Sequence, residues 1–302
     1  MIAYSHVEGI QTMCMEIFPI LLEDEHERIT AQRIGMVDIV LQSMDRFQDN
    51  VRLHVSSFHT LVILFRPIGG REGMMVDYTQ ATSFATSLGL PLKPSTTSTS
   101  GGQYKIRIAV MIESMSRFES ESHLQAMACW AMVNLALVPT QKNVIVTNGG
   151  LQAACRAMAR HPDNFEVQFR GMFALINLVV PSKTADATEQ EVIYDNASSI
   201  TILIVSAMKQ FSSSYAIRNR ACLVLHNLSQ NEQCVRSLLL TPECYQMLTW
   251  CFWKSKTDKI LRRTIGFILK KLQGLITADP TLRRHTEALM WSPHKPVSDV
   301  ME

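Results

Sequence analysis

A phrase of four residues recurs along this chain at spacings that match the length of a helical repeat. The four clear copies are Met44-Asp45-Arg46-Phe47, Met115-Ser116-Arg117-Phe118, Met158-Ala159-Arg160-His161 and Met208-Lys209-Gln210-Phe211. Met158 follows Met115 by 43 residues, and a weaker fifth copy at Phe252 follows Met208 by 44. Arrays of stacked helices repeat every ~40–47 residues. The two longer intervals, 71 residues after Met44 and 50 after Met158, indicate insertions between repeats.

Downstream of each phrase, apolar and small side chains return at the same positions. With the first residue of the phrase as position zero, position nine is Leu53, Leu124, Val167 and Ile217. Position thirteen is always small, and it is Ser57, Ala128, Gly171 and Ala221. Positions nine, thirteen, sixteen and twenty lie on one stripe of an α-helix. Stacked copies bury such a stripe continuously, so the sequence predicts an all-α repeat array.

A partial copy stands at the front of the chain. Residues 10–21 align with residues 124–135, although Pro19 departs from the pattern because proline removes a helix hydrogen bond. The helices that should precede this copy are missing, and its apolar residues do not form the polar face that a terminal repeat needs. We expect either that the chain belongs to a longer protein or packs this end on a partner, or that the end is modified to cap itself.

Residues 122–136 and 143–154 resemble the armadillo repeat. The first segment is an alanine-rich helix that ends in Asn134-Leu135, and the second contains Gly149-Gly150 where the armadillo pattern breaks between two helices. The likeness is strong over 104–180, good over 199–240 and weak at both ends. HEAT repeats are the near alternative, but the Gly-Gly break and the Asn-Leu ending favour armadillo. The resemblance implies a right-handed α–α superhelix, an armadillo-type solenoid, of about five and a half repeats.

Composition predicts where the repeats begin and end. The segments are 1–85, a partial repeat and the first full repeat; 86–103, a Ser/Thr-rich flexible loop; 104–275, armadillo repeats with a second loop at 181–196; and 276–302, a C-terminal helix and tail. Within the last segment, Thr281 to Met290 is expected to form a short helix.

Charge and cysteine content favour a folded protein of a reducing compartment. Hydrophobic residues make up 47% of the chain and charged residues 19%, while the net charge of +2 implies no polyanionic partner by itself. The seven cysteines include no C-x-x-C pair, and we expect buried thiols. We recognise no membrane span and no secretory signal, and therefore expect a cytoplasmic or nuclear protein.

The sequence carries no recognisable catalytic motif. A phosphate-binding loop, a nucleophile elbow and an H-E-x-x-H metal pair are all missing, and the nine histidines are scattered. His226, at the end of a predicted helix, suits a structural cation. We therefore expect no enzyme activity, no cofactor, no metal site and no small-molecule substrate.

The candidate binding residues form a second stripe on the predicted third helix of each repeat. They are Trp130, Asn134, Arg170, Phe173, Asn177, Arg220 and Asn227. The resemblance places this stripe in the concave groove, and the pair Trp130 and Asn134 is similar to the pairs with which importin alpha grips an extended peptide. Only one copy has tryptophan, and Arg170 and Arg220 would prefer acidic partners. The alternative is that the asparagines bond between repeats or satisfy helix ends.

These observations predict a non-catalytic scaffold or adaptor that binds a protein or extended peptide in its groove. Three alternatives stay open: a substrate-recognition part of a larger assembly such as a ubiquitin ligase, a structural spacer, and a binder of acidic surfaces or nucleic acid. The last rests on a basic final repeat that contains Lys254, Lys256, Lys259, Arg262, Arg263, Lys270 and Lys271. Nucleic acid is not the expected main partner, because the basic residues lack the aromatic interleaving of single-strand binders.

Overall fold

The computed structural model describes residues 2–33, 35–67, 100–181, 187–279 and 281–282. These residues form α-helices joined by short connections, with one 3-10 turn and no β-strand among them. The predicted all-α class is therefore confirmed. Most of the predicted Ser/Thr-rich loop and most of the predicted C-terminal segment lie outside the described residues.

The chain divides into two compact units, 1–160 and 161–302. In the first, the described helices are α1 (Glu8–Leu21), α2 (Glu25–Arg33), α3 (Met36–Arg46), α4 (Val51–Leu64), α5 (Ser100–Arg117), α6 (Ser122–Leu135), α7 (Pro139–Thr147) and α8 (Gly150–Arg160). Helices α1, α4 and α6 pack side by side in one layer, and α3, α5 and α8 pack in a second. The short helices α2 and α7 each pack against both layers.

The second unit has the same arrangement. Its described helices are α9 (Phe165–Leu178), α10 (Ala187–Gln210), α11 (Tyr215–Leu228), α12 (Glu232–Leu240), α13 (Cys244–Lys254) and α14 (Lys259–Ala278). Helices α9, α11 and α14 form one layer, α10 and α13 form the other, and the short α12 packs against α10 and α14. We call α4, α6, α9, α11 and α14 the third helices, because each carries positions nine to twenty of one repeat copy.

The stripe predicted from the sequence is the core of each unit. At position nine, Leu53, Leu124, Val167 and Ile217 are completely buried. Burial of each such side chain contributes roughly 1.5–3 kcal/mol relative to exposure. The hydrophobic effect therefore fixes which face of each third helix points inward.

The start of four of the five third helices is fixed by a polar residue at position six; in α6, Glu121 at that position makes no side-chain cap bond. The side chains of Asn50, Asn164, Ser214 and Asp258 accept a hydrogen bond from the backbone N–H three residues later, at 2.8–3.3 Å. Such N-caps satisfy a helix N–H that has no partner inside the helix. The register of the caps follows that of the repeat.

The join between the first and second helices of a repeat needs a left-handed backbone. Gly35, Gly149 and Glu243 occupy equivalent positions, and their φ angles are +82°, +94° and +63°. Glycine adopts this conformation without steric cost. The adjacent Gly150 has a second role, because a Cβ there would lie 2.3 Å from Cγ2 of Ile145.

Two predicted loop boundaries are wrong. Helix α10 begins at Ala187, so most of the segment 181–196 is helical rather than a loop. The buried side chains of Ile193, Ala197 and Ile200 continue the helical spacing through that polar segment, and burial of these few positions outweighs its loop-like composition. Helix α5 begins at Ser100, before the predicted end of the first loop.

Candidate protein-binding face on the third helices

The structure places the candidate residues on three of the third helices. Trp130 and Asn134 lie on α6 of the first unit, while Arg170, Phe173 and Asn177 lie on α9 and Arg220 and Asn227 on α11 of the second. Arg220 and Phe173 are brought into direct contact. Helices α9 and α11 are neighbours in one layer of the second unit.

The guanidinium group of Arg220 lies on a surface made by two phenylalanine rings. Its Cζ is 3.7 Å from the centroid of the Phe169 ring and 5.0 Å from that of Phe173. Both distances are within the range of cation–π attraction. Arg220 is half-buried. The two rings therefore attract the cation and also remove part of its hydration.

The positive charge of Arg220 also lacks a carboxylate partner among the described residues. Burial lowers the pKa of its guanidinium, and the nearby charge of Arg170 lowers it further. Its Nε is buried and makes no hydrogen bond, and among the described residues no carboxylate forms an ion pair with it. Arg170 does have a carboxylate partner, with its Nε 3.4 Å from Oε2 of Glu166. The face therefore carries an excess of positive charge around a desolvated arginine.

A row of phenylalanines extends this surface along α9. Phe165 stacks on Phe169 at 5.7 Å between ring centroids, and it meets Phe211 edge to face at the same distance. Phe165 is 39% exposed. Only Phe173 was identified from the sequence. The spacing of residues 165, 169 and 173, four apart on one helix face, is the signal that could have found the other two.

The asparagines join neighbouring third helices within each unit. Nδ2 of Asn134 donates to the carbonyl of Val62 at 2.9 Å, and Nδ2 of Asn227 donates to that of Ile176 at 3.0 Å. The two bonds are equivalent, since each runs from position nineteen to position eighteen of the preceding third helix in the unit. This geometry favours the structural alternative for Asn134 and Asn227, while Asn177 is 8% exposed.

A second set of structural residues was missed by the sequence analysis. Gln11, Gln125 and Gln168, all at position ten, are at most 2% exposed. Each donates through Nε2 at 2.9 Å to the carbonyl at position three, in Tyr4, Phe118 and His161 respectively. The same residue type at the same repeat position was visible in the sequence.

His54 takes the place of these glutamines in the first full repeat. Its Nε2 lies 3.3 Å from the carbonyl of Phe47, and its Nδ1 lies 2.7 Å from Oγ of Ser114. Burial lowers the pKa of His54. The ring is therefore held in its neutral form at neutral pH.

The same layer continues onto α14 with aromatic and basic side chains. Lys271 donates from Nζ to the carbonyl of Ser229 at 2.8 Å, and Nζ also lies 5.2 Å from the centroid of the Phe267 ring. The His226 ring is 5.1 Å from that of Phe267. Burial lowers the pKa of His226, with a smaller contribution from the charge of Lys271. The expected role of His226 as a cation at the helix end is thus not favoured.

Three of the cysteines are poor nucleophiles in this fold. Each of the seven is a free thiol, five of them buried, while Cys14 and Cys155 are partly exposed. Burial raises the pKa of Cys129, Cys155 and Cys244 to about 12. A thiol with such a pKa is protonated at neutral pH and unreactive.

The described residues hold neither a metal-binding cluster nor a membrane-spanning helix, and comparison with known proteins gave no match. Among the described residues, no group of three His, Cys, Asp or Glu side chains could hold a metal ion. No helix in the described ranges is long and apolar enough to cross a membrane. No model of a known protein family matches the chain, and a search of curated proteins found no match to it.

Proposed function

We propose that the chain is a non-catalytic module that binds an acidic segment of another protein on the exposed face of its third helices. We further propose that the two layers form an armadillo-type, right-handed superhelix. The layered packing within each unit and the left-handed join at Gly35, Gly149 and Glu243 support that proposal. The free, buried thiols favour a reducing compartment, the cytoplasm or the nucleus.

The observation that carries the binding proposal is the uncompensated Arg220. A planar guanidinium can bind a carboxylate through two parallel hydrogen bonds. The contact of Arg220 with Phe169 and Phe173 has already removed part of the hydration of its guanidinium group. A carboxylate that binds there displaces less water, so the desolvation cost of binding is smaller. The exposed ring of Phe165, which stacks on Phe169, would contact an apolar side chain of the same segment. An acidic peptide with a neighbouring apolar residue is therefore the ligand that fits.

A peptide-display selection against the whole chain tests this proposal. We expect enrichment of peptides that contain aspartate or glutamate next to an aromatic or aliphatic residue. Selection against the Arg170→Gln, Arg220→Gln double variant should lose that enrichment. The matched control is the Arg156→Gln, Arg160→Gln double variant, which also removes two charges but from exposed positions on α8.

Three outcomes would decide between the alternatives. Enrichment of lysine-rich peptides would contradict the acidic specificity, and so would an unchanged acidic motif with the Arg170 and Arg220 variant. Recovery of no peptide above background would favour a structural spacer. Circular dichroism of each variant ensures that the comparison is between folded proteins.

A further inference from the structure

The connection between α13 and α14 exposes two large apolar side chains. Trp253, near the end of α13, is 59% exposed, and Ile260, in the first turn of α14, is 82% exposed. Exposure of such large apolar groups to water is unfavourable, and a partner that covered them would recover that free energy. We call residues 253–260, with the adjacent Arg263, the α13–α14 tip.

Basic residues surround these two side chains. Lys254, Lys256, Lys259 and Arg263 are all exposed. The one acidic residue of the tip is Asp258, and both of its carboxylate oxygens already accept hydrogen bonds. Oδ2 accepts from the hydroxyl of Tyr215 at 2.6 Å, and Oδ1 accepts from the N–H of Leu261 at 2.9 Å. Asp258 thus serves as the N-cap of α14, and its single negative charge is outnumbered by the four exposed cations of the tip.

The Trp253 indole has an aromatic neighbour on α13 and a cationic neighbour on α14. The Phe252 ring meets the Trp253 ring edge to face at 5.9 Å. Cζ of Arg262 lies 4.4 Å from the centroid of Phe252 and 5.9 Å from that of Trp253. The Arg262 contacts come from the start of α14, so they link the indole to the helix that carries Ile260. The tip therefore presents apolar and cationic groups together.

We propose that the α13–α14 tip binds an anionic lipid surface. Ile260 enters the acyl boundary, the Trp253 indole lies at the headgroup level, and the lysines meet the lipid phosphates and carboxylates. Tryptophan favours the membrane interface, and basic residues favour anionic leaflets. Nucleic acid would use the cations but not the isoleucine, whereas a lipid surface uses both. This proposal is independent of the peptide-binding face.

Sedimentation of the full chain with vesicles tests the proposal. One set contains phosphatidylcholine alone, and the other contains about a third phosphatidylserine, which gives the negative surface potential of a cytoplasmic leaflet. We expect binding only to the second set. Lys254→Gln with Lys256→Gln should reduce the partition coefficient by about tenfold or more, since each basic residue near such a surface contributes a several-fold factor. Ile260→Ser should also reduce it, by about threefold or more.

Matched controls separate the tip from general effects of charge and hydrophobicity. Arg156→Gln with Arg160→Gln removes two exposed charges elsewhere, and Ile202→Ser removes an isoleucine that is 52% exposed on α10. Both controls should bind vesicles as the unaltered chain does. Absence of binding to phosphatidylserine vesicles would overturn the proposal. A loss with the lysine variant but none with Ile260→Ser, together with tight retention on double-stranded DNA, would instead identify a nucleic-acid surface.

Discussion

At the scale of single residues, the left-handed join shows how a repeat tolerates a substitution. Two of the three equivalent positions are glycine, and the third is Glu243, the one described non-glycine residue with a positive φ. A left-handed conformation costs a residue with a Cβ roughly 1–2 kcal/mol. Glu243 also forms an ion pair with Lys209 on α10, which compensates for part of that cost.

At this join, glycine should be more stable than alanine both at position 243 and at position 149. Glu243→Gly should be more stable to urea than Glu243→Ala by about 1 kcal/mol, because both lose the Lys209 pair and only alanine keeps a Cβ at positive φ. Gly149→Ala should lower the free energy of unfolding by about 1–2 kcal/mol. Equal stabilities of the two Glu243 variants would contradict the assigned backbone conformation.

A second residue-scale prediction concerns acid. Because burial lowers the pKa of His54 in the folded state, the unfolded chain binds a proton at this site more readily. Stability should therefore fall as the pH drops below about 6.5, the ordinary pKa of histidine. His54→Gln introduces the residue found at the equivalent position of three other repeats, and it should make the melting temperature less dependent on pH between about 7 and about 5.

The exposed His59 provides the control for that measurement. Its pKa is also lowered by partial burial and by His123, but its side chain is more exposed than that of His54, so His59→Gln should change the acid dependence less than His54→Gln does. A melting temperature whose acid dependence is the same with and without His54 would show that other groups are responsible.

At the scale of helices, the sequence predicted the elements whose burial pattern repeats. It missed a helix start in a polar segment and a contact between two helices. The third helices and their core stripe follow from a pattern repeated several times, whereas the break at Gly149 was expected from the resemblance of one segment to the armadillo repeat. The start of α10 did not, because its polar residues resemble a loop and only Ile193, Ala197 and Ile200 reveal the helix. The contacts of Arg220 with Phe169 lie between two helices, and the sequence of either helix alone does not show them.

The asparagine bonds give the prediction that belongs to this scale. Val62 and Ile176 lie in the last turns of α4 and α9, where helix carbonyls have no partner inside the helix. Asn134→Ala and Asn227→Ala should each lower the free energy of unfolding by about 1–3 kcal/mol, because a carbonyl loses its donor. Denaturant unfolding followed by circular dichroism measures this loss.

Asn219, on the same helix as Asn227, is the matched control. Asn219→Ala should change stability by no more than about 0.5 kcal/mol. If Asn227→Ala is as stable as the Asn219 variant, the bond to Ile176 does not stabilise the stack. A folded Asn227 variant that has also lost affinity for acidic peptide would show a binding role in addition.

At the scale of the whole molecule, the net charge conceals how charge is distributed. The chain has 29 lysines and arginines and 27 aspartates and glutamates. Residues 252–278 nevertheless contain seven basic residues and one acidic residue, and Arg170 and Arg220 lie together on the third helices. The two surfaces differ in burial. The tip is exposed and should be sensitive to salt, while the half-buried Arg220 should be screened less.

We propose that Arg220 binds a carboxylate of a protein segment. The most direct test of this proposal is fluorescence anisotropy of a selected acidic peptide, titrated with the unaltered chain, with Arg220→Gln and with Arg156→Gln. Hydrogen bonds to charged groups contribute about 1.5–3 kcal/mol, so we expect the dissociation constant of Arg220→Gln to rise about tenfold or more. Arg156→Gln should bind as the unaltered chain does. Equal affinity of the Arg220→Gln variant and the unaltered chain would contradict the proposal.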